Sequence, residues 1–159
     1  MSESWLAASA LRQAALILAS HRRLAGRELV APPPGTAAGA MAAQARALYE
    51  SPIVVLAHGI ESDPIVNYGN AAALALWEMP WETFTRMPSR LTAAPADRVE
   101  RDRQLAAATA AGILFDYSGV RVSASGRRFR ISGATVWNLV DEQGWRRGQA
   151  AAFAEWQYL

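Results

Sequence analysis

Cysteine is missing from all 159 residues, and so is lysine: each of the 16 basic residues is an arginine. Without a thiol there is no disulfide, no thiolate nucleophile, no zinc–thiolate centre and no cysteine-held iron–sulfur cluster. All-arginine usage beside abundant alanine reads as a GC-rich coding bias and carries no mechanism. Histidine is limited to His21 and His58. Sixteen basic against 14 acidic residues leave a net charge of +2, so the pI of about 9.5 reflects the missing lysine and cysteine titrations and the arginine excess. Such a charge makes no field large enough to gather nucleic acid. Long apolar runs are also missing. The stretch 14–19 is far too short to span a bilayer, and Met1-Ser2-Glu3-Ser4 lacks the basic start of an export signal. The expectation is a cytoplasmic chain with no membrane partner. Phosphate loops, nucleophile elbows and zinc-protease motifs are absent too.

With 52% hydrophobic residues, the chain can build one core with a helical appendage, which is too little for two full domains. Ser2 or Ser4 can cap a first helix to about Ser20, continuing through His21-Arg22-Arg23-Leu24, with Leu6, Ala10, Ala14, Ile17 and Leu18 on one flank. Pro32-Pro33-Pro34-Gly35 stops it and makes a stiff connector. The expected division is an extension over 1–36 and a body over 37–159. In the body, an alanine-rich helix over 37–50 leads to a strand over 53–58. A turn at Gly59 and Asp63-Pro64 and a short strand over 65–68 follow. Asn70 precedes the helix 71–77 as an N-cap. A helical turn falls near 81–86, and the longest helix of the body over 95–111, with Pro95 at its first position and Gly112 as its stop.

The last third reads as three antiparallel strands, 113–123, 128–140 and 145–156, joined by Ala124-Ser125-Gly126 and Asp141-Glu142-Gln143-Gly144. A turn around Ser125-Gly126 sets Val122 opposite Phe129, Asp116 opposite Thr135 and Leu114 opposite Trp137. A turn around Glu142-Gln143 sets Trp137 opposite Gly148 and Thr135 opposite Ala150. One face then carries Leu114, Asp116, Ser118, Phe129, Ile131, Thr135, Trp137, Ala150 and Ala152. It is apolar with small residues in its middle and few polar groups, which suits a small-molecule pocket. Helix side chains filling that room are the alternative. A slip of one residue would expose Asp116 and bury Phe115 and Tyr117.

Order and text together resemble a PAS domain. Ile65-Val66-Asn67-Tyr68-Gly69-Asn70-Ala71-Ala72 resembles the second PAS strand and its Asn-x-Ala helix start, and Val140-Asp141-Glu142-Gln143-Gly144 with Gly148 resembles the turn between the last two PAS strands. The resemblance to the PAS-like MEKHLA domain family is closer. It is carried by His21-Arg22-Arg23-Leu24, Ala57-His58-Gly59, Asp63-Pro64-Ile65, Pro88-Ser89-Arg90-Leu91, Tyr117-Ser118-Gly119-Val120-Arg121 and Ala134-Thr135-Val136-Trp137-Asn138-Leu139. The resemblance implies an α+β fold: an antiparallel five-stranded sheet with helices on one face, plus the N-terminal helical extension. It also implies a stand-alone form of a domain that in certain plant homeodomain–zipper regulators has an inferred sensing or dimer-controlling role. PAS flavin photosensors use a cysteine for adduct chemistry, and PAS haem sensors commonly a histidine on the long helix. This chain has neither, so haem and cysteine-adduct flavin are disfavoured and the cofactor is left unknown.

The candidate pocket residues are His58, Asn67, Trp77, Trp81, Asp116, Ser118, Thr135, Trp137 and Ala150. His58 lies with Glu61 and Asp63 in one loop, but one histidine and two carboxylates fix a metal poorly, and none is expected. The other readings of His58 are architectural, closing its strand by a hydrogen bond, or ligand-reading. Asp116 on an inner face must be paired, and Arg86, Arg90 or Arg98 can do so, as a staple or as the anion-reading end of a pocket. Trp77, Trp81 and Trp137 either wall a pocket or are core with their indole N–H groups satisfied. Leu6, Ile17, Phe115, Tyr117, Val136 and Phe153 are the candidate interface, covered by the N-terminal helix or by a second subunit. Arg121, Arg127, Arg128 and Arg130 with those aromatics explain a solvated sheet face as well as a nucleic-acid surface, so nucleic acid is not expected. No nucleophile–base–orienter set can be named, and catalysis by His58 with Asp63 or Asp116 is the weakest reading. The expected function is a sensory module that binds an unknown small molecule, forms a homodimer and acts on a protein partner in trans. The alternative is a dimerisation module with a filled core.

Overall fold

The computed structural model describes residues 3–31, 33 and 40–159. The proline connector lies largely outside them, as do Ser2 and the start expected for the second helix. A 3-10 turn, Ser4–Leu6, precedes α1 (Ala8–Ala25), and α2 spans Ala40–Glu50. Ser4 does not cap α1; its hydroxyl donates to Glu82 at 2.6 Å, and α1 ends on Gly26 with φ of 75°. Strands β1 (Val54–His58) and β2 (Val66–Gly69) lead to α3 (Ala71–Trp77), capped by Asn70 as expected, and α4 (Trp81–Phe84). A 3-10 turn at Pro95–Asp97 takes the place of the first turn of the long helix, so α5 is Arg98–Ala111. Then come β3 (Ile113–Val122), β4 (Arg128–Val140), β5 (Arg146–Phe153) and β6 (Glu155–Tyr158).

The sheet is antiparallel, in the order β2-β1-β5-β4-β3. β6 continues the line of β5 along the first half of β4, with Ile131 opposite Trp156, and the break falls at Ala154. Both sheet faces are covered. Alternation along the strands sends Val54, Val136 and Phe153 to a core with Ala73, Leu76 and Trp77 of α3 and Ala108 of α5. It sends Val55, Ala57, Trp137, Leu139, Ala150 and Ala152 to a second core with Ala14, Ile17 and Leu18 of α1 and Leu48 of α2. The extension is therefore the second wall of the sheet.

The β3–β4 register differs by one residue from the expected one: Val122 faces Arg128 and Leu114 faces Val136. The cause is the turn. Ser123 N–H bonds the Arg127 carbonyl at 2.9 Å, leaving a three-residue loop that ends on Gly126 at φ of 86°, a left-handed conformation that glycine adopts without Cβ strain. Two bulges then interrupt the hairpin. Between Leu114 and Tyr117 β3 holds one extra residue, with Asp116 at φ of 55°. Between Ile131 and Ala134 β4 holds one, with Gly133 at φ of 62°. The β4–β5 pairing is moved by two, with Leu139 opposite Gly148, because that loop also has three residues and β5 bulges beside it. An even shift keeps the faces; an odd one exchanges them.

Candidate ligand cavity

The exchange of faces decides what lines the inner side of the sheet. Tyr117, Val136 and Phe153, expected at an interface, are buried here against Trp77, while Asp116 and Ser118 are exposed and Thr135 is half-buried. Trp137 lies on the other face, its indole N–H donating to the Ile17 carbonyl at 3.3 Å and its ring edge-on to His21. Asp116 needs no arginine: Arg90 pairs with Asp63 at 3.3 Å and Arg98 donates to the carbonyls of Arg90 and Ala93. Asn67 accepts from Gln13 of α1 at 3.0 Å and, with Trp81, borders a surface groove beside α1. Ile17 is fully buried, Leu6 is half-buried and Phe115 is exposed.

Between the sheet, α3 and α5 lies a cavity of about 40 Å³. His58, Trp77 and Ala150 are the members of the expected pocket that border it. Its apolar wall is Leu56, Trp77, Leu105, Val136, Ala151 and Phe153, and its polar groups are His58, Ser89, Arg101, Tyr117, Arg121 and Gln149. Trp77 is held by its indole N–H on the Thr92 carbonyl at 3.3 Å and by Phe129 edge-on at 5.2 Å.

Two arginines here are almost wholly buried, Arg101 at 8% and Arg121 at 7% exposure. Arg101 donates to the Ser89 hydroxyl and, at 3.1 Å, to Asp102, whose side chain is 67% exposed. Burial and then the neighbouring Arg121 charge push Arg101 down to about 10, still a cation at neutral pH. Arg121 donates to the Tyr117 hydroxyl at 2.5 Å and to the Val120 carbonyl at 2.9 Å, with its guanidinium 5.5 Å from the Tyr117 ring centre. No ion pair reaches Arg121 among the described residues. Gln149 is anchored by its amide N–H groups on the Leu105 carbonyl at 3.2 Å and the Thr109 hydroxyl at 3.1 Å. Arg121 is thus buried on the inner side and not on a solvated outer face as expected, because the three-residue turn sets it opposite the buried Phe129. Arg101 and Gln149 escaped the sequence reading, although Arg101, Leu105 and Ala108 stand at i, i+4 and i+7 of one helix. That spacing puts an arginine on the buried stripe of α5.

His58 sits where β1 ends, its Nδ1 2.9 Å from the Gly59 carbonyl. Nδ1 therefore carries the proton, and the buried Nε2, an acceptor, has no hydrogen-bond partner among the described residues. Glu61 accepts from the Ile65 N–H at 3.0 Å and Asp63 is paired with Arg90, so both carboxylates of the loop have structural partners. Among the described residues no three His, Asp or Glu side chains group as metal ligands. No helix is long and apolar enough to cross a membrane among the described residues.

Burial holds the His58 pKa below its ordinary value of 6.5, against the opposing pull of its bond to Gly59. A group depressed in the folded state contributes stability that is complete above the unfolded pKa and lost as pH falls below it. Urea midpoints are thus expected to be level above about pH 6.5 and to decline toward pH 5, by at most about 1.4 kcal/mol per pH unit for one proton. In His58→Gln its share of that slope should vanish, leaving the share from His21, whose pKa burial also lowers. An unchanged slope in the variant would mean that His58 titrates normally.

The model of the MEKHLA domain family matches residues 11–158. Among solved structures, the PAS domain of a protein from Colwellia psychrerythraea superposes with a TM-score of 0.62 at 12% identity, over 73% of this chain and 93% of that one. An RNA-binding light-oxygen-voltage receptor gives 0.63 at 14% identity, over 77% of this chain and 35% of the receptor. The light-state dimer of the fungal blue-light photoreceptor Vivid gives 0.54 at 15% identity, over 67% of this chain and 79% of that one. No curated protein matches the chain. At these identities the solved structures establish the fold alone. The inner cavity does not fit a flavin or haem, because about 40 Å³ is far below the roughly 300–1,000 Å³ of pockets for molecules of that size.

Proposed function

We propose, for a chain that belongs to the MEKHLA domain family and folds as a PAS domain, a signal-sensing role in which the inner cavity receives a small ligand. The observation that carries this reading is the unbalanced polar lining of that cavity. Buried charges and imidazoles normally find partners, and here two guanidinium groups and the His58 Nε2 border an apolar space. Occupancy would bear on β5, where Ala151 borders the cavity and Ala150 and Ala152 face the core shared with α1 and α2. The readout belongs to a partner in trans or to a second copy of the chain. Of the six residues expected at an interface, Phe115 and Leu6 keep exposed surface for such contact.

The small volume of the cavity favours a second reading, an interaction module whose core is filled. Native mass spectrometry of freshly purified protein, followed by denaturation and mass analysis of what is released, separates the two. A retained small molecule is the expected result. A ligand-free protein that also shows no thermal shift with a library of small acids, amides and alcohols would favour the filled-core module.

A further inference from the structure

We propose that the cavity is an anion site for a short monocarboxylate of about two to four carbons, its carboxylate between Arg101 and Arg121 and its alkyl end against Trp77 and Val136. The assignment rests on the sensing role given above and names the chemical class of the ligand.

Charge is the first argument. Arginines are almost never fully buried unless paired. Of these two, one has the exposed carboxylate of its chain neighbour Asp102 and the neutral Ser89 hydroxyl, and the other has a phenol and a carbonyl. Two like charges bordering one cavity destabilise each other, and a planar carboxylate relieves both by accepting charge-assisted hydrogen bonds from guanidinium forks. Size is the second argument. One water-sized body occupies roughly 10–15 Å³ on this scale, so about 40 Å³ holds about three to four, which fits acetate as it stands and a longer alkyl end only as the lining side chains give. The mainly apolar wall argues against inorganic phosphate, which would leave Val136 and Phe153 facing charged oxygens. Access is the third. A surface groove between α5 and the loop after β1 shares His58, Ser89, Arg101, Leu105 and Gln149 with the cavity, and adds Arg90 and Arg146 together with Asp63 and Asp102 at its mouth. Three arginines against two aspartates leave the groove with a small positive excess, which does not oppose an anion's approach.

The test is a titration of the full chain with sodium propionate at constant ionic strength. It is followed by indole and guanidinium NMR signals and by thermal melting, with propionamide, chloride and phosphate as controls. Propionate is expected to move the Trp77 indole signal and raise the melting temperature, and propionamide to bind about ten- to a hundredfold more weakly. Arg121→Gln should weaken propionate by a similar factor. Should that variant not fold, Ala151→Val keeps both arginines and fills the cavity, and it too should lose propionate. Equal binding of propionate and propionamide, or of chloride and propionate, would overturn the carboxylate assignment while leaving a ligand cavity in place. Full propionate affinity in Ala151→Val would overturn the site. Silence of the Trp77 signal toward acid and amide alike, with no molecule released on denaturation, would overturn the carboxylate site and the sensing role together.

Discussion

Asn70→Ala is expected to destabilise the fold by about 3–5 kcal/mol, seen as a large fall in the urea midpoint with an unchanged slope. The residue is fully buried, and its side chain serves four backbone groups from three elements. Its Oδ1 accepts from the Ala73 N–H at 3.1 Å, as an N-cap should, and from the Val55 N–H of β1 at 3.0 Å. Its Nδ2 donates to the Ile53 carbonyl at 2.7 Å and to the Leu48 carbonyl of α2 at 3.1 Å. Losing a cap alone costs about 1 kcal/mol, and each buried group left without a partner adds about 1–3, softened where water or relaxation reaches it. Asn70→Asp keeps the acceptor, loses both donors and buries a charge, so it should not restore stability. A loss near 1 kcal/mol in Asn70→Ala would show that only the cap matters.

Trp137→Ala is expected to cost about 3–5 kcal/mol, the range for removing a buried tryptophan. The ring is wholly buried beneath α1, edge-on to His21 at 5.0 Å, with its N–H on the Ile17 carbonyl. Its removal leaves a hole in the core shared by α1, α2 and the sheet, and takes from the Ile17 carbonyl the second of its two hydrogen bonds. Hydrogen exchange should therefore quicken in residues 8–25 more than in α5, which packs on the other face. Trp137→Phe keeps most of the packing and should lose less. Uniform acceleration of exchange in α1 and α5 would mean that the two cores do not open separately.

Both residues show what the sequence makes legible. Asn70 could be read as a cap because the motif is local: an asparagine immediately before a helical run. Its ties to Leu48, Ile53 and Val55 depend on how distant segments meet. Element order, the long helix and the final meander were readable from turns, prolines and apolar periodicity, and the text resembling PAS and MEKHLA domains is matched by the family model over residues 11–158. Faces were less so, because parity along a strand is destroyed by one uncounted residue. A two-residue turn at Ser125-Gly126 put Asp116, Ser118, Thr135 and Trp137 on the inner face. The three-residue loop and the bulge at Gly133 put Tyr117, Gly119, Arg121, Ala134 and Val136 toward α3 and α5. The arginine pairing expected for Asp116 on the inner face does not form, because Asp116 is exposed. Arg90 and Arg98 serve loops, whereas Arg101 and Arg121 reach the cavity from positions where helical spacing and strand alternation each hide a cation among apolar neighbours.

The paired bulges of β3 and β4 have opposite and equal effects on the count of residues. Leu114 with Val136 and Gly119 with Ile131 both sum to the same register, and only the segment between, Tyr117 with Ala134, is out by one. A deletion of Asp116 alone, or of Gly133 alone, would throw one end of the hairpin out of phase with the other. Deleting both would leave the ends in phase and the buried faces unchanged. Single-residue insertions or deletions in these strands are therefore costly alone and tolerable when matched by one on the facing strand.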